Sequence, residues 1–314
     1  APIIGDQDDG RFLPFGVEKN NNHQYLLSIG ATLFNRSDFK KYSDGFCFDC
    51  VFMFGEKQKN KFNEIRNIEL DLNSKSFSDA GFYIIRDKED YCFINNSGMG
   101  RYSELEPGTH THSDLLSFVL YKDGNPIFVD SGTYLYSANP KERMKFRSTN
   151  MHNTAEVDAL SQNTISKDNL WGFERDSIPN TLLWDKKLNS IIFSGEHSGY
   201  LRLKKPINHQ RSICFSKESK TYEIIDKFIG EGEHKINIYF HLHYKCKAQI
   251  INNNVEINTP NKNLKLKFYS EGNHIKIYKY RDYISESYGS KIEADVIRLT
   301  KIGECPMEVR TIIV

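Results

Sequence analysis

The sequence has no run of about 18 apolar residues, the length a membrane-crossing helix needs, so no segment reads as a helical span. No signal-peptide pattern opens it, and the first residue is Ala1 rather than Met, which reads as a mature, trimmed or truncated product. No repeat of fixed period is present, which disfavours a propeller or a solenoid. An excess of one charge is missing too. Forty-two basic residues stand against 41 acidic ones, a net charge of +1, so no global field draws the chain to nucleic acid or to a polyanion. An acidic ligand would have to be met by a local arrangement of charge. Six cysteines are too few to staple a scaffold of 314 residues. Cys47 and Cys50 form a Cys-x-x-Cys pair, but no second pair stands at zinc-ribbon spacing. Ordinary thiols are the expectation there.

Aromatic residues are plentiful. Seventeen Tyr and 21 Phe favour sheet, because flat rings pack well on pleated surfaces. The first seventy or so residues nevertheless read differently from the rest. Leu26, Ile29, Leu33 and Phe34 lie at helical spacing and predict an amphipathic helix over 23–35. The polar stretch 56–63 reads as a linker or exposed loop. The opening Gly5-Asp-Gln-Asp-Asp-Gly-Arg11 looks like a calcium loop, yet its glycine comes one place early and no glutamate ends it, which argues against an EF-hand.

From about residue 76 the pattern changes to short apolar-alternating segments, at 82–85, 117–121, 127–129, 222–228, 236–242, 264–268, 274–280 and 296–299. Turn signals separate them at 122–125, 252–254 and 271–273. About a dozen such strands predict a mainly β fold, a large antiparallel sandwich over 73–314 preceded by a short helical segment in 1–72. A helical fragment of that size buries little alone. It is expected to pack on the sandwich or to belong to a larger helical domain.

The chemistry concentrates between residues 106 and 154. In an extended strand His110 and His112 would share a face, with Asp114 continuing it, because the side-chain period is two. A hairpin turning at Asp123-Gly124 can return Asp130 to the neighbourhood of His112, and His152 follows. Two imidazoles and a carboxylate with an open fourth position suit zinc or a similar divalent ion. The plain alternative is a set of satisfied polar side chains. His241 and His243 also share a strand face, but no carboxylate follows at comparable spacing, so packing is expected of them.

Lys141, Arg143, Lys145 and Arg147 alternate just beyond Asp130 and are candidates for binding carboxylate or sulfate, against a solvated basic loop. Tyr134 and Tyr136 are candidates to line a cleft, against core packing. Trp171 and Trp184 read more readily as buried than as sugar-stacking. Asn153 and Asp114 are candidates to orient the metal ligands. The His110-Thr-His112 triplet is also similar to the first metal motif of cupins. That motif requires a glutamate a few residues on and a later Pro-x-Gly-x-x-His, and neither follows here.

In order and spacing, several segments together resemble the heparinase II/III-like family of polysaccharide lyases. They are Phe77-Ser-Asp-Ala-Gly-Phe-Tyr83, His110-Thr-His-Ser-Asp-Leu-Leu-Ser-Phe118, Gly124-Asn-Pro-Ile-Phe-Val-Asp-Ser-Gly-Thr-Tyr-Leu-Tyr136, Arg147-Ser-Thr-Asn-Met-His-Asn-Thr154 and Val157-Asp158. Beyond about residue 165 the likeness is limited to strand pattern and pieces such as His209-Gln-Arg211. The resemblance implies an α/α toroid followed by antiparallel sheets, with 1–72 the end of the toroid and linker, and Gly5 to Arg11 the segment that closes it. It implies β-elimination on a uronic-acid-containing acidic polysaccharide. His110 would be the catalytic histidine and His112, Asp130 and His152 the ligands of a structural zinc or another divalent cation. Tyr134, Tyr136, Arg143 and Arg147 would contact substrate. The toroid Tyr and Asn or His that complete such a site would lie upstream of residue 5, in an N-terminal toroid acting as partner. A polysaccharide substrate points to the periplasm or the outside of a bacterium. The competing reading is a glycan-binding or assembly module without catalysis, and a cupin-like enzyme would instead carry iron or manganese.

Overall fold

The structure, a computed structural model, describes residues 3–7, 23–69, 72–99, 108–165, 169–272 and 275–314. Residues 8–11 of the opening motif, Glu106, Pro107, Asn273 and His274 lie outside that set. The chain divides into two compact units, Asp8–Leu72 and a second made of Ala1–Gln7 with Asn73–Val314. The opening residues therefore go with the sheets, whereas the sequence reading had put them with the helices. The reason is a set of hydrogen bonds from 5–7 to His110 and Thr133, described below.

The smaller unit holds α1 (Gln24–Phe34), α2 (Ser37–Tyr42), α3 (Phe48–Phe54) and α4 (Gln58–Glu64). Asn35 ends α1 in the left-handed conformation, with φ 52°. Its core is small: Ala31, Phe62 and Ile65, with Phe39 and Phe46 packed against them. Helix α4 occupies the stretch expected to be a loop. Phe62 is its one buried side chain, so a single apolar anchor sets the helix and no periodic stripe announces it.

The larger unit is mainly β and wholly antiparallel in its named strands. A first sheet runs in chain order through β1 (Lys75–Phe77), β2 (Phe82–Asp87), β3 (Asp90–Asn95), β4 (Ser117–Lys122) and β5 (Asn125–Phe128). Helix α5 (Pro140–Phe146) follows, with Pro140 at its start and the Asn139 side chain accepting from the Glu142 amide as N-cap. Next come β6 (Ala155–Val157), β7 (Pro179–Lys186), β8 (Ser190–His197), β9 (Ile207–Ser216), β10 (Thr221–Gly230) and β11 (Glu233–His241). The chain ends with β12 (Lys247–Ile251), β13 (Asn254–Asn258), β14 (Leu264–Tyr269), β15 (Lys276–Ser287), β16 (Ser290–Glu304) and β17 (Met307–Ile313). Eight strands form the sheet β12-β13-β14-β17-β10-β9-β8-β7, and four form β15-β16-β11-β6.

One contiguous core joins the three sheets, from Tyr83 and Phe118 through Phe193 and Phe215 to Phe240 and Leu299. Strands β8 and β9 alternate strictly between buried and half-exposed, the pattern of a sheet with one packed face. Each Ile or Phe in that row contributes about 1.5–3 kcal/mol by leaving water. Two members of the buried row of β9 are polar, His209 and Arg211. They are answered from β10 by Asp226, whose Oδ1 receives His209 Nε2 at 2.7 Å and Arg211 Nε at 2.7 Å, and whose Oδ2 receives Arg211 Nη2 at 3.0 Å. Arg211 Nη1 also donates to the carbonyls of Leu116 and Asn153, which ties the sheet to the loops that carry the site.

Candidate metal and acid–base site

Three loops of the larger unit converge. The β4–β5 hairpin turns at Asp123 and Gly124, both in the left-handed region, and delivers Asp130 just past its second strand. Asp130 folds back on itself, Oδ1 accepting from the Gly132 amide at 2.8 Å, while Oδ2 meets His152 Nδ1 at 2.7 Å. The rings of His152 and His112 lie 5.2 Å apart. One ligand atom from each of His112, Asp130 and His152 can be chosen so that all lie within 4.8 Å of one another. His112 Nδ1 and His152 Nε2 are buried with no hydrogen-bond partner among the described residues. Buried polar nitrogens are nearly always partnered, and two orphaned imidazole nitrogens beside a buried carboxylate are the donor set a zinc-like ion takes. The residues present therefore fit a divalent cation.

The electrostatics agree with such a cluster. Burial alone would raise the Asp130 pKa, but the charge and hydrogen bond of His152 outweigh it and hold the carboxyl below the usual range. Burial likewise acts to lower His152, and Asp130 overrides it, leaving His152 raised. Burial pushes His112 down, with the charge of His152 adding to it. Asp114 is pushed up by burial, and its Oδ2 accepts from Asn95 Nδ2 at 2.9 Å.

His110 is different. Its side chain is 66% exposed, and Nδ1 lies 3.1 Å from Asp6 Oδ2. The ring meets Trp171 edge-on at 5.9 Å and Tyr136 at 6.4 Å, and Tyr136 continues to Tyr288 at 5.0 Å. An exposed, anchored imidazole beside a wall of three aromatic rings can exchange a proton with a ligand that stacks there. A cleft of about 890 Å³, lined by Ser78–Ala80, Asn96, Met99, Arg175 and residues 177–181, opens nearby. Met99 Sδ abuts Gly108, the first described residue of the turn that carries His110.

Residues 70–314 match the family model described as "Heparinase II/III-like, C-terminal". The chain belongs to this family. It is 27% identical over 175 residues to a heparin-sulfate lyase of Bacteroides stercoris, 54% of this chain and 23% of that protein. A heparin-sulfate lyase of Bacteroides thetaiotaomicron is 27% identical over 185 residues, 56% of this chain and 24% of that one. Among solved structures, a heparan sulfate lyase from Pedobacter heparinus superposes with TM-score 0.72 at 19% identity, over 99% of this chain and 43% of that one. A heparinase III gives 0.71 at 16%, over 99% and 44%. The structural likenesses show a shared fold. This heparinase II/III-like chain aligns with about a quarter of the length of its curated relatives and with less than half of the solved structures.

Within this heparinase II/III-like site, several expectations change. His110 and His112 do not lie on a strand: β4 begins only at Ser117, and the two histidines occupy the turn and loop before it. They share a carboxylate, Asp6, rather than a strand face. Arg143 and Arg147, expected to meet substrate, are buried. Arg143 forms a two-pronged bond to Asp6 and donates to the Thr109 carbonyl. Arg147 donates to four carbonyls, those of Gly108, Thr111, Leu170 and Trp171. Burial, with the nearby charge of Arg143, lowers its pKa to about 10, so it stays a cation. One helical turn apart, on α5 and at its C-terminal cap, the two guanidinia clamp the His110 turn to the segment before Phe173, with neither side chain exposed to a glycan. Lys145 pairs with Asp282, and Lys141 is exposed.

Tyr134 packs on Phe146 with the Lys291 ammonium over its ring, whereas Tyr136 borders His110. Asn153 bonds the carbonyls of Phe118 and Val129 and accepts from the His241 amide, fixing the strand ends around His152. His241 and His243 make bonds to Ser131, Asn150 and Glu286, consistent with packing roles. Trp184 packs on the core against Tyr83, but Trp171 stands at His110. Asp6 and Tyr288 were missed. Asp6 sits in a motif weighed only as a calcium loop or a toroid closure, and nothing in the sequence around Tyr288 marked it.

Proposed function

We propose that this chain is the sheet-bearing part of a polysaccharide lyase that cleaves a uronic-acid-containing acidic glycan by β-elimination. The observation that carries the reading is His110: an exposed imidazole anchored through Nδ1 to a buried carboxylate, at an aromatic wall, in a chain of this family. The curated relatives are named heparin-sulfate lyases, which favours a sulfated or carboxylated glycan as substrate.

With Nδ1 bonded to Asp6, His110 offers Nε2 to the C5 proton of the uronate. As that proton leaves, the C–H electron pair forms the C4=C5 double bond and the C4–O bond breaks. The leaving glycosidic oxygen takes a proton from an acid. The C5 proton is a weak acid, so the adjoining carboxylate must be neutralised or hydrogen-bonded as charge builds on it. Those last two groups are assigned to the helical domain expected of the longer parent protein. Trp171, Tyr136 and Tyr288 would stack on sugar rings. His112 Nδ1, His152 Nε2 and Asp130 would hold a structural divalent ion, zinc by preference, which would tie the three loops together. A polymeric glycan places the enzyme in the periplasm or outside the cell, which fractionation would test.

The deciding experiment uses the parent-length protein and a panel of uronate glycans, reading the ultraviolet absorbance of the new C4=C5 bond. Product with the wild type and none with His110→Ala supports the reading. Glycan binding without product, unaltered by His110→Ala, would replace it with a non-catalytic binding module.

A further inference from the structure

The motif beginning Gly5-Asp6 finds its use in the sheet unit. The Asp6 side chain is 1% exposed and is met on both oxygens. Oδ1 receives His112 Nε2 at 2.9 Å and Arg143 Nη1 at 3.0 Å; Oδ2 receives Arg143 Nη2 at 2.8 Å and lies 3.1 Å from His110 Nδ1. A carboxylate gripped on both oxygens by the Arg143 guanidinium is ionised. An ionised carboxylate only accepts, so each ring nitrogen facing it must carry its proton.

The consequence differs for the two rings. A neutral imidazole protonated at Nδ1 has its lone pair on Nε2, and one protonated at Nε2 has it on Nδ1. We propose that Asp6 is a positioning residue that fixes both tautomers at once, turning the Nε2 lone pair of His110 to the ligand and the Nδ1 lone pair of His112 into the metal cluster. This deepens the lyase reading and rests on it for the role of His110. The Nδ1 atom of His112 is one of the two buried nitrogens without a partner, which is where the assignment places a lone pair.

The backbone holds Asp6 to this task. Its amide donates to the His110 carbonyl at 2.8 Å, and the Gln7 amide donates to Thr133 Oγ1 at 2.6 Å. Gly5 has φ +59°, and a Cβ there would lie 2.4 Å from the His110 carbonyl oxygen, so the approach requires glycine. Asp6 lies outside the matched residues 70–314.

Long-range proton–nitrogen correlation of the histidine rings, on the zinc-loaded chain at alkaline pH, tests the assignment; His110 is assigned by its loss in His110→Ala. The wild type should show His110 protonated at Nδ1, and Asp6→Asn should move it toward the Nε2-protonated form. Where the unpaired Arg143 unfolds Asp6→Asn, the pair Asp6→Asn with Arg143→Gln removes the buried charge and gives the same readout. An unchanged His110 tautomer in the folded single or paired variant overturns the proposal. In the parent enzyme the same change should lower kcat about tenfold to a hundredfold at unchanged KM; a raised KM at unchanged kcat also overturns it. If the parent releases no unsaturated product from any uronate, the lyase reading fails, while the ring spectra still decide the role of Asp6.

Discussion

Acidification from pH 7 to 5 should destabilise the sheet unit by about 2 kcal/mol through His241 alone. His197, His209 and His241 are fully buried. Burial lowers the pKa of each, helped by the charge of His209 and Arg211 at His197, of Arg211 at His209, and of His152 at His241, which falls to about 4. His241 is therefore neutral in the fold down to about pH 5 and free to charge when unfolded, where a histidine has a pKa of about 6.5. A depressed folded pKa gives stability that is present above the unfolded value and lost as pH falls below it. While such a ring stays neutral the loss is about 1.4 kcal/mol per pH unit. For His241 this comes to about 2 kcal/mol between pH 6.5 and 5. His197 and His209 add to it in the same direction, against a total of about 5–15 kcal/mol for a typical domain. His112 and His152 shift in opposite directions and are left out of the sum. Urea unfolding at pH 7, 6 and 5 measures the slope. His241→Gln should reduce it by about 1.4 kcal/mol per pH unit below pH 6. A stability flat from pH 7 to 5, or a slope indifferent to His241→Gln, refutes the reasoning.

Three further outcomes follow from the site. Purified chain should carry about one divalent ion by elemental analysis; His112→Ala and His152→Ala should abolish it, and chelation should lower the thermal midpoint reversibly. Arg147→Met should cost about 3–5 kcal/mol in denaturant, because it strands the carbonyls of Gly108, Thr111, Leu170 and Trp171; a loss under about 1 kcal/mol would mean water replaces the guanidinium. Gly5→Ala should destabilise by about 2 kcal/mol or more, through the left-handed backbone and the clash with His110. Gly45→Ala, in open space at φ +82°, should cost only about 1–2 kcal/mol, so equal losses at the two glycines would argue against the clash.

The strands were legible because one face of each packs on the core and alternation writes that face into the sequence, as in β8 and β9. Helix α4 was hidden because Phe62 alone anchors it. At the site, residue type and spacing brought His112, Asp130 and His152 to notice, and the β4–β5 hairpin does return Asp130 to His112. What spacing could not convey was the loop conformation between Gly108 and Ser117, since period-two reasoning holds only within a strand. Nor could it show that basic side chains among polar neighbours, Arg143 and Arg147, turn inward, because their partners are backbone carbonyls, which carry no sequence signal, and for Arg143 the distant Asp6 carboxylate. Asp6, more than a hundred residues from the histidines it joins, is found only when the chain is folded.

The charged row on β9 bears on how the sandwich assembles. A slip of one residue between β9 and β10 would turn His209 and Arg211 toward solvent, bring Gln210 and Ser212 inward, and leave Asp226 ionised with no counter-charge. Such a mispairing should be penalised more than a slip between all-apolar strands, so the trio should act as a proofreading key for strand alignment. Replacing His209, Arg211 and Asp226 together by apolar side chains should leave a sandwich of similar stability that populates misaligned states during refolding; single-exponential refolding, as in the wild type, would count against the idea.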